Sequence, residues 1–157
     1  MLDAEVVAPY AGTYTIADFG TDVIDTVDEM ISKMNEDILD KEDITLFMSY
    51  ANYRTYAKAV RDANLFHYTG AESQGDKFSQ YHPGTNVKVV AVKGLSAVNR
   101  LILSPASNLV VGTDLMSDAE DFKLFYNEDE DLAKLRIKFK LGTQVQFVDQ
   151  VVMYTGV

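Results

Sequence analysis

Apolar residues first recur at helical spacing over 22–39, as Val23, Ile24, Val27, Met30, Ile31, Met34, Ile38 and Leu39, with acids between them. The spacing predicts an amphipathic helix capped by Thr21 or Asp22, with Asp25, Asp28 and Glu29 toward the positive end of its dipole. Ile44–Met48 is a short apolar run and reads as a buried strand. Ser49 then stands where a cap is needed for a second helix over 50–63, with Tyr50, Tyr53, Ala57 and Val60 along one face. Upstream, residues 1–21, with Pro9 and Gly12, read as an irregular lead-in with a short strand near Thr13–Ile16.

After the second helix the period changes. Residues 66–86 hold Gly70, Gly75, Pro83 and Gly84 among polar residues and predict a long loop. Val87–Val92, Leu101–Leu103, Asn108–Val111 and Phe122–Tyr126 are short strand candidates, and Asn127–Asp131 is an acidic turn. Leu135, Ile137, Phe139 and Leu141 then alternate with Lys134, Arg136, Lys138 and Lys140, a period-two strand with one apolar and one basic face. Gly142–Thr143 reads as a turn, with Gln144–Phe147 and Val151–Tyr154 as the return. The fold class is α+β. A central mixed sheet containing 44–48, 87–92 and 101–103 is flanked by helices 22–39 and 50–63, and an elongated antiparallel C-terminal sheet follows. The corresponding division is a lead-in over 1–21, a core over 22–115 and a β extension over 116–157.

Composition narrows the function classes. A chain of 157 residues, 47% apolar and 24% charged, can bury a core unaided. The absence of cysteine excludes a disulfide framework, a thiol nucleophile and a Cys-based metal site. Fourteen Lys and Arg against 24 Asp and Glu give a net charge of −10, which disfavours dedicated nucleic-acid binding. Neither a secretory signal nor a membrane-spanning run is read, so a soluble protein is expected.

No constellation converges on a reaction. Asp18-Phe19-Gly20 spells the magnesium-binding tripeptide of protein kinases, but the Gly-rich and catalytic loops that give it meaning are missing. His67 and His82, with Glu72 and Asp76 between them, offer a two-histidine, one-carboxylate metal site; against this, loop histidines among Gly and Ser are usually solvated. The acids of Asn127–Asp131, with Asp118, Glu120 and Asp121, lack the glycine spacing of a calcium loop and read as a solvated turn opposing the basic strand. No Gly-x-Ser-x-Gly elbow and no phosphate-binding glycine loop occurs. Catalytic, cofactor and metal residues are therefore not assigned. The basic face Lys134, Arg136, Lys138 and Lys140 runs against the net charge, and these four residues are the candidates for a seam to an acidic patch on a neighbouring subunit.

The order of segments carries a resemblance. Helix 22–39 is followed by Ile44-Thr45-Leu46-Phe47-Met48-Ser49, which enters a helix with Tyr53-Arg54-Thr55-Tyr56. A polar loop leads to Val87–Val92 with Lys93-Gly94-Leu95, then Arg100-Leu101-Ile102-Leu103-Ser104 and Asn108-Leu109-Val110-Val111-Gly112-Thr113-Asp114. Leu135–Gly142 and Val151–Tyr154 close the chain. From Asp22 onward this resembles the C-terminal half of tailed-bacteriophage major capsid proteins, whose fold is shared with encapsulins. The family's N-terminal arm, extended hairpin loop and spine helix are not read here. The resemblance implies a structural, non-enzymatic coat protein of phage or prophage, made in the bacterial cytoplasm and located in the virion. In full-length context it would self-associate as hexamers and pentamers of an icosahedral shell, whereas an isolated fragment can be monomeric. The alternatives are an encapsulin-like compartment, or a metal-dependent enzyme or ligand-binding domain built on the 66–86 loop.

Overall fold

The helical period that begins near Val23 is realised from Phe19 onward in the computed structural model, which describes residues 10–40, 43–63, 79–112, 121–127, 131–138 and 141–157. Helix α1 (Phe19–Ser32) buries Phe19, Val23, Val27 and Met30, the side its apolar spacing dictates. The expected single helix over 22–39 is two. Asn35 adopts an extended backbone (φ −62°, ψ 129°), and its side chain accepts a hydrogen bond from the Asp37 amide at 3.1 Å, capping a separate helix α2 (Glu36–Leu39). Met34 and Ile38 remain buried on either side of the break, so the apolar period runs through it. Helix α3 (Tyr50–Asp62) starts where Ser49 predicts, its hydroxyl accepting from the Asn52 amide at 3.2 Å.

The described strands are β1 (Tyr10–Tyr14), β2 (Ile44–Met48), β3 (Ser79–Tyr81), β4 (Lys88–Ala91), β5 (Arg100–Pro105), β6 (Leu109–Gly112), β7 (Asp121–Asn127), β8 (Leu132–Lys138), β9 (Gly142–Val145) and β10 (Val152–Gly156). Six form one mixed sheet in the order β1-β10-β5-β2-β4-β3. Strands β2 and β4 are parallel, with Leu46 opposite Val89, and α3 lies in the crossover between them. Strand β5 runs antiparallel to both β2 and β10. The α+β class and the central mixed sheet are as the sequence predicts.

The C-terminal pairing differs from expectation. The sequence pattern predicts that strand 134–141 turns back on 144–147 and 151–154. Instead β8 pairs with β7, β9 pairs with β6, and β10 enters the core sheet between β1 and β5. Burial decides this: Val152 and Tyr154 are enclosed, which a solvated ribbon could not provide. The compact units are Leu109–Gln146 and a core drawn from the chain up to Asn108 together with Phe147–Val157. In this division β10, which lies in the expected C-terminal extension over 116–157, groups with the core. The lead-in is also more ordered than expected, since β1 spans Tyr10–Tyr14 and α1 begins at Phe19.

The core is one cluster in which Val23, Met30, Leu46, Tyr56, Leu101, Leu103 and Tyr154 are enclosed. Gly12 faces Tyr154 across the parallel β1–β10 pair, and a Cβ there would stand 2.4 Å from the tyrosine ring, so only glycine lets the ring lie over the strand. The ring's hydroxyl accepts from Lys33 Nζ at 2.6 Å. Among the described residues no helix is long and apolar enough to cross a membrane.

Candidate functional site

The period-two pattern of 132–138 places alternate side chains on opposite faces of the β7–β8 hairpin. Register fixes which residues share a face: Leu124 lies opposite Leu135 and Tyr126 opposite Ala133, while Lys123 lies opposite Arg136 and Phe125 opposite Lys134. One face is therefore apolar and the other predominantly basic. The apolar face is uncovered, with Leu124 71%, Leu135 59% and Tyr126 59% exposed. The companion pair β6–β9 repeats the theme, with Leu109, Val110 and Val111 exposed. Two-stranded ribbons are marginal in water unless a face is covered, and contiguous exposed apolar surface marks contact sites.

Of the four predicted interface residues, Arg136 is exposed and Lys134 half-buried on the basic face. Lys138 takes its backbone place opposite Asp121, and Lys140 lies outside the described residues. Lys123 joins the basic face across the ladder. Sequence reading misses it because cross-strand register is invisible until β7 is paired with β8. Residues 128–130 of the turn predicted at 127–131 lie outside the described residues; at its end Asp131 adopts φ 51°, and the Tyr126 hydroxyl donates to its carboxylate. That hydrogen bond holds the Tyr126 phenol above its ordinary range.

The chain's exit into this insertion and its return are clamped inside the core unit by one residue. The Asn108 side chain donates to the Phe147 carbonyl at 2.8 Å, accepts from the Phe147 amide at 2.7 Å and reaches the Ser104 hydroxyl at 3.4 Å. Asn108 and Ser104 are both buried, so these bonds satisfy groups that water does not reach. The stretch beginning at Asn108 stands out in the sequence, but a side chain mimicking a strand partner leaves no periodic signal.

His82 corrects another expectation. It is not a solvated loop histidine but 2% exposed, with Nδ1 2.7 Å from the Tyr56 hydroxyl and Nε2 2.8 Å from Asp28 Oδ1. A carboxylate only accepts, so Nε2 carries the proton toward Asp28, and in the neutral imidazole Nδ1 accepts from the Tyr56 hydroxyl. The turn that delivers the ring is closed by the His82 amide on the Val87 carbonyl and by Gly84 at φ 75°. Burial raises the Tyr56 phenol far above its ordinary range, with the Asp28 charge adding to the effect. A protonated phenol without exposed surface makes a structural tie among α1, α3 and the turn before β4. Both imidazole nitrogens are engaged, so the metal reading built on His82 would have to break one of these bonds. Its other members, His67, Glu72 and Asp76, lie outside the described residues. Among the described residues no group of three or more His, Asp or Glu side chains is placed to hold a metal ion. In the kinase-like tripeptide, Phe19 is core, its ring 4.7 Å from that of Tyr14.

No family model matches the chain, and no curated protein matches it in sequence.

Proposed function

We propose that this chain is a structural subunit that self-associates into a shell, of the kind built by tailed-phage major capsid proteins. The observation that carries the proposal is the β7–β8 hairpin, whose apolar face of Leu124, Tyr126 and Leu135 stands exposed. Such a face is the surface a neighbouring copy covers in a closed assembly, where many weak contacts act together. The hairpin belongs to an insertion between two neighbouring antiparallel core strands, β5 and β10, so the chain ties it to the core sheet at both ends. The segment order described above gives the assembly its proposed type.

Electron microscopy of the concentrated protein, with light scattering for mass, tests this reading. Rings or shells are expected from the wild type, and the pair Leu124→Lys with Leu135→Lys should abolish them without lowering the melting temperature. A specific turnover or a tight small-molecule ligand, with no assembly at any concentration, would refute it. Particles filled with a co-purifying protein instead of DNA would redirect the proposal to an encapsulin-like compartment.

A further inference from the structure

Helices α1 and α3 pack side by side, each offering the other its small or apolar flank. On α1 this flank holds Gly20, Ile24 and Ile31, and the Thr55 methyl of α3 lies 3.8 Å from where a Cβ on Gly20 would stand. On α3 it holds Asn52, Thr55 and Ala59. Helical geometry turns the remaining flanks outward, and they differ in sign. Asp18 at the N-cap, Asp22 at a kink in the first turn (φ −108°, ψ 16°) and Asp25 form an exposed acidic patch at the start of α1. Arg54, Lys58 and Arg61, at i, i+4 and i+7, form an exposed basic stripe along the outer flank of α3. Between α1 and β1 the acidic side also holds a shallow polar groove lined by Thr13, Thr15, Asp18, Asp22 and Thr26.

The helix dipole accounts for part of this distribution, since Asp22 lies in the first turn of α1 and Arg61 in the last turn of α3. It does not account for Asp25 beyond the first turn, and it opposes Arg54 in the N-terminal half of α3. Ordinary solvated faces intersperse the two signs. Here three acids gather at the start of α1 and three cations along α3; the opposite charges nearest to them along the chain are Lys33, paired with Glu29 at 2.7 Å, and Asp62 at the end of α3, and no ion pair among the described residues joins the two groups.

We propose that the two flanks are the halves of a head-to-tail contact between copies of this chain, with Arg54 and Lys58 of one copy set against Asp22, Asp25 and the threonine groove of the next. Opposite edges of one molecule meeting in this way give a heterologous interface, which closes into a ring or continues as an array. The inference rests on the self-association of the proposed function but uses a surface separate from the β7–β8 ribbon.

Charge exchange tests it. One variant carries Arg54→Glu and Lys58→Glu, and the other carries Asp22→Lys and Asp25→Lys. Asp18 and Arg61 are left in place to preserve the helix ends. Sedimentation velocity at low salt should show wild-type association, weakening by roughly tenfold to a hundredfold in each variant alone. An equimolar mixture of the two should recover it, because each variant then meets its complement. Should either variant misfold by circular dichroism, the salt dependence of wild-type association decides instead: tenfold more salt should weaken a charged contact markedly. Variants that associate as tightly as wild type, a mixture that stays dissociated, or salt-independent association would each overturn the inference while leaving the shell proposal intact. A wild type that never self-associates would overturn both.

Discussion

Strands β5 and β7 are both rich in large apolar residues, yet Leu101 and Leu103 are fully enclosed whereas Leu124 and Tyr126 are 71% and 59% exposed. The difference lies in what covers them. Strand β5 has a partner strand on each edge and takes part in the hydrophobic core cluster, while among the described residues β7 has a single partner, β8. The same apolar side chain therefore does different work in the two places. In the core it contributes to folding free energy, and on the ribbon it stays in contact with solvent.

This contrast can be broken by truncation. Leu103→Ala should cost about 2–5 kcal/mol in chemical denaturation, from lost burial and a residual cavity. Leu124→Ala should change stability by less than about 0.5 kcal/mol. A comparable loss at both sites would mean that the ribbon is covered within the monomer, and the comparison would collapse. At the junction between the regions, Asn108→Ala should cost about 1–3 kcal/mol by leaving the Phe147 amide and carbonyl without their partner.

The regions should also separate in alkali. Burial raises the Tyr14, Tyr53, Tyr56 and Tyr154 phenols above the ordinary value of 10.0. The folded state thus keeps protons that the unfolded chain releases. This contribution is complete below about pH 10 and declines as pH rises toward the folded values, by up to about 1.4 kcal/mol per pH unit for Tyr56. Tyr56→Phe should flatten that decline in thermal melts taken above pH 10. The smallest effect belongs to the ribbon's like-charged pair. Arg136 lies directly opposite Lys123, so Arg136→Gln should stabilise the hairpin by a few tenths of a kcal/mol, read as slower amide exchange in β7 and β8.

Much of the core is legible from the chain because burial writes itself as periodicity. Val23, Val27 and Met30 announce α1, Ser49 announces the start of α3, and Ile44–Met48 announces a strand enclosed on both faces. What stays hidden is pairing. Val151–Tyr154 has the same local pattern whether it closes a hairpin or enters a sheet, and only the space between β1 and β5 decides. Asn35 breaks the first helix through a backbone-competing side chain while the apolar period continues on both sides. At the candidate site, the alternation of 134–141 reveals two faces, but Lys123 needs a register. The burial of His82 escapes a sequence reading because polar neighbours along the chain say nothing of Tyr56 and Asp28 in space.

The clamp at Asn108 bears on how the chain reaches its native topology. Strands β5 and β10 are neighbours in the sheet but distant in sequence, so their pairing would ordinarily wait on closure of a long loop. If the local β7–β8 hairpin zips first, on the microsecond scale usual for such ribbons, β6 and β9 would meet next and bring Asn108 to Phe147. An element with little stability of its own would then act as a kinetic chaperone in cis, shortening the search for the strand that completes the sheet.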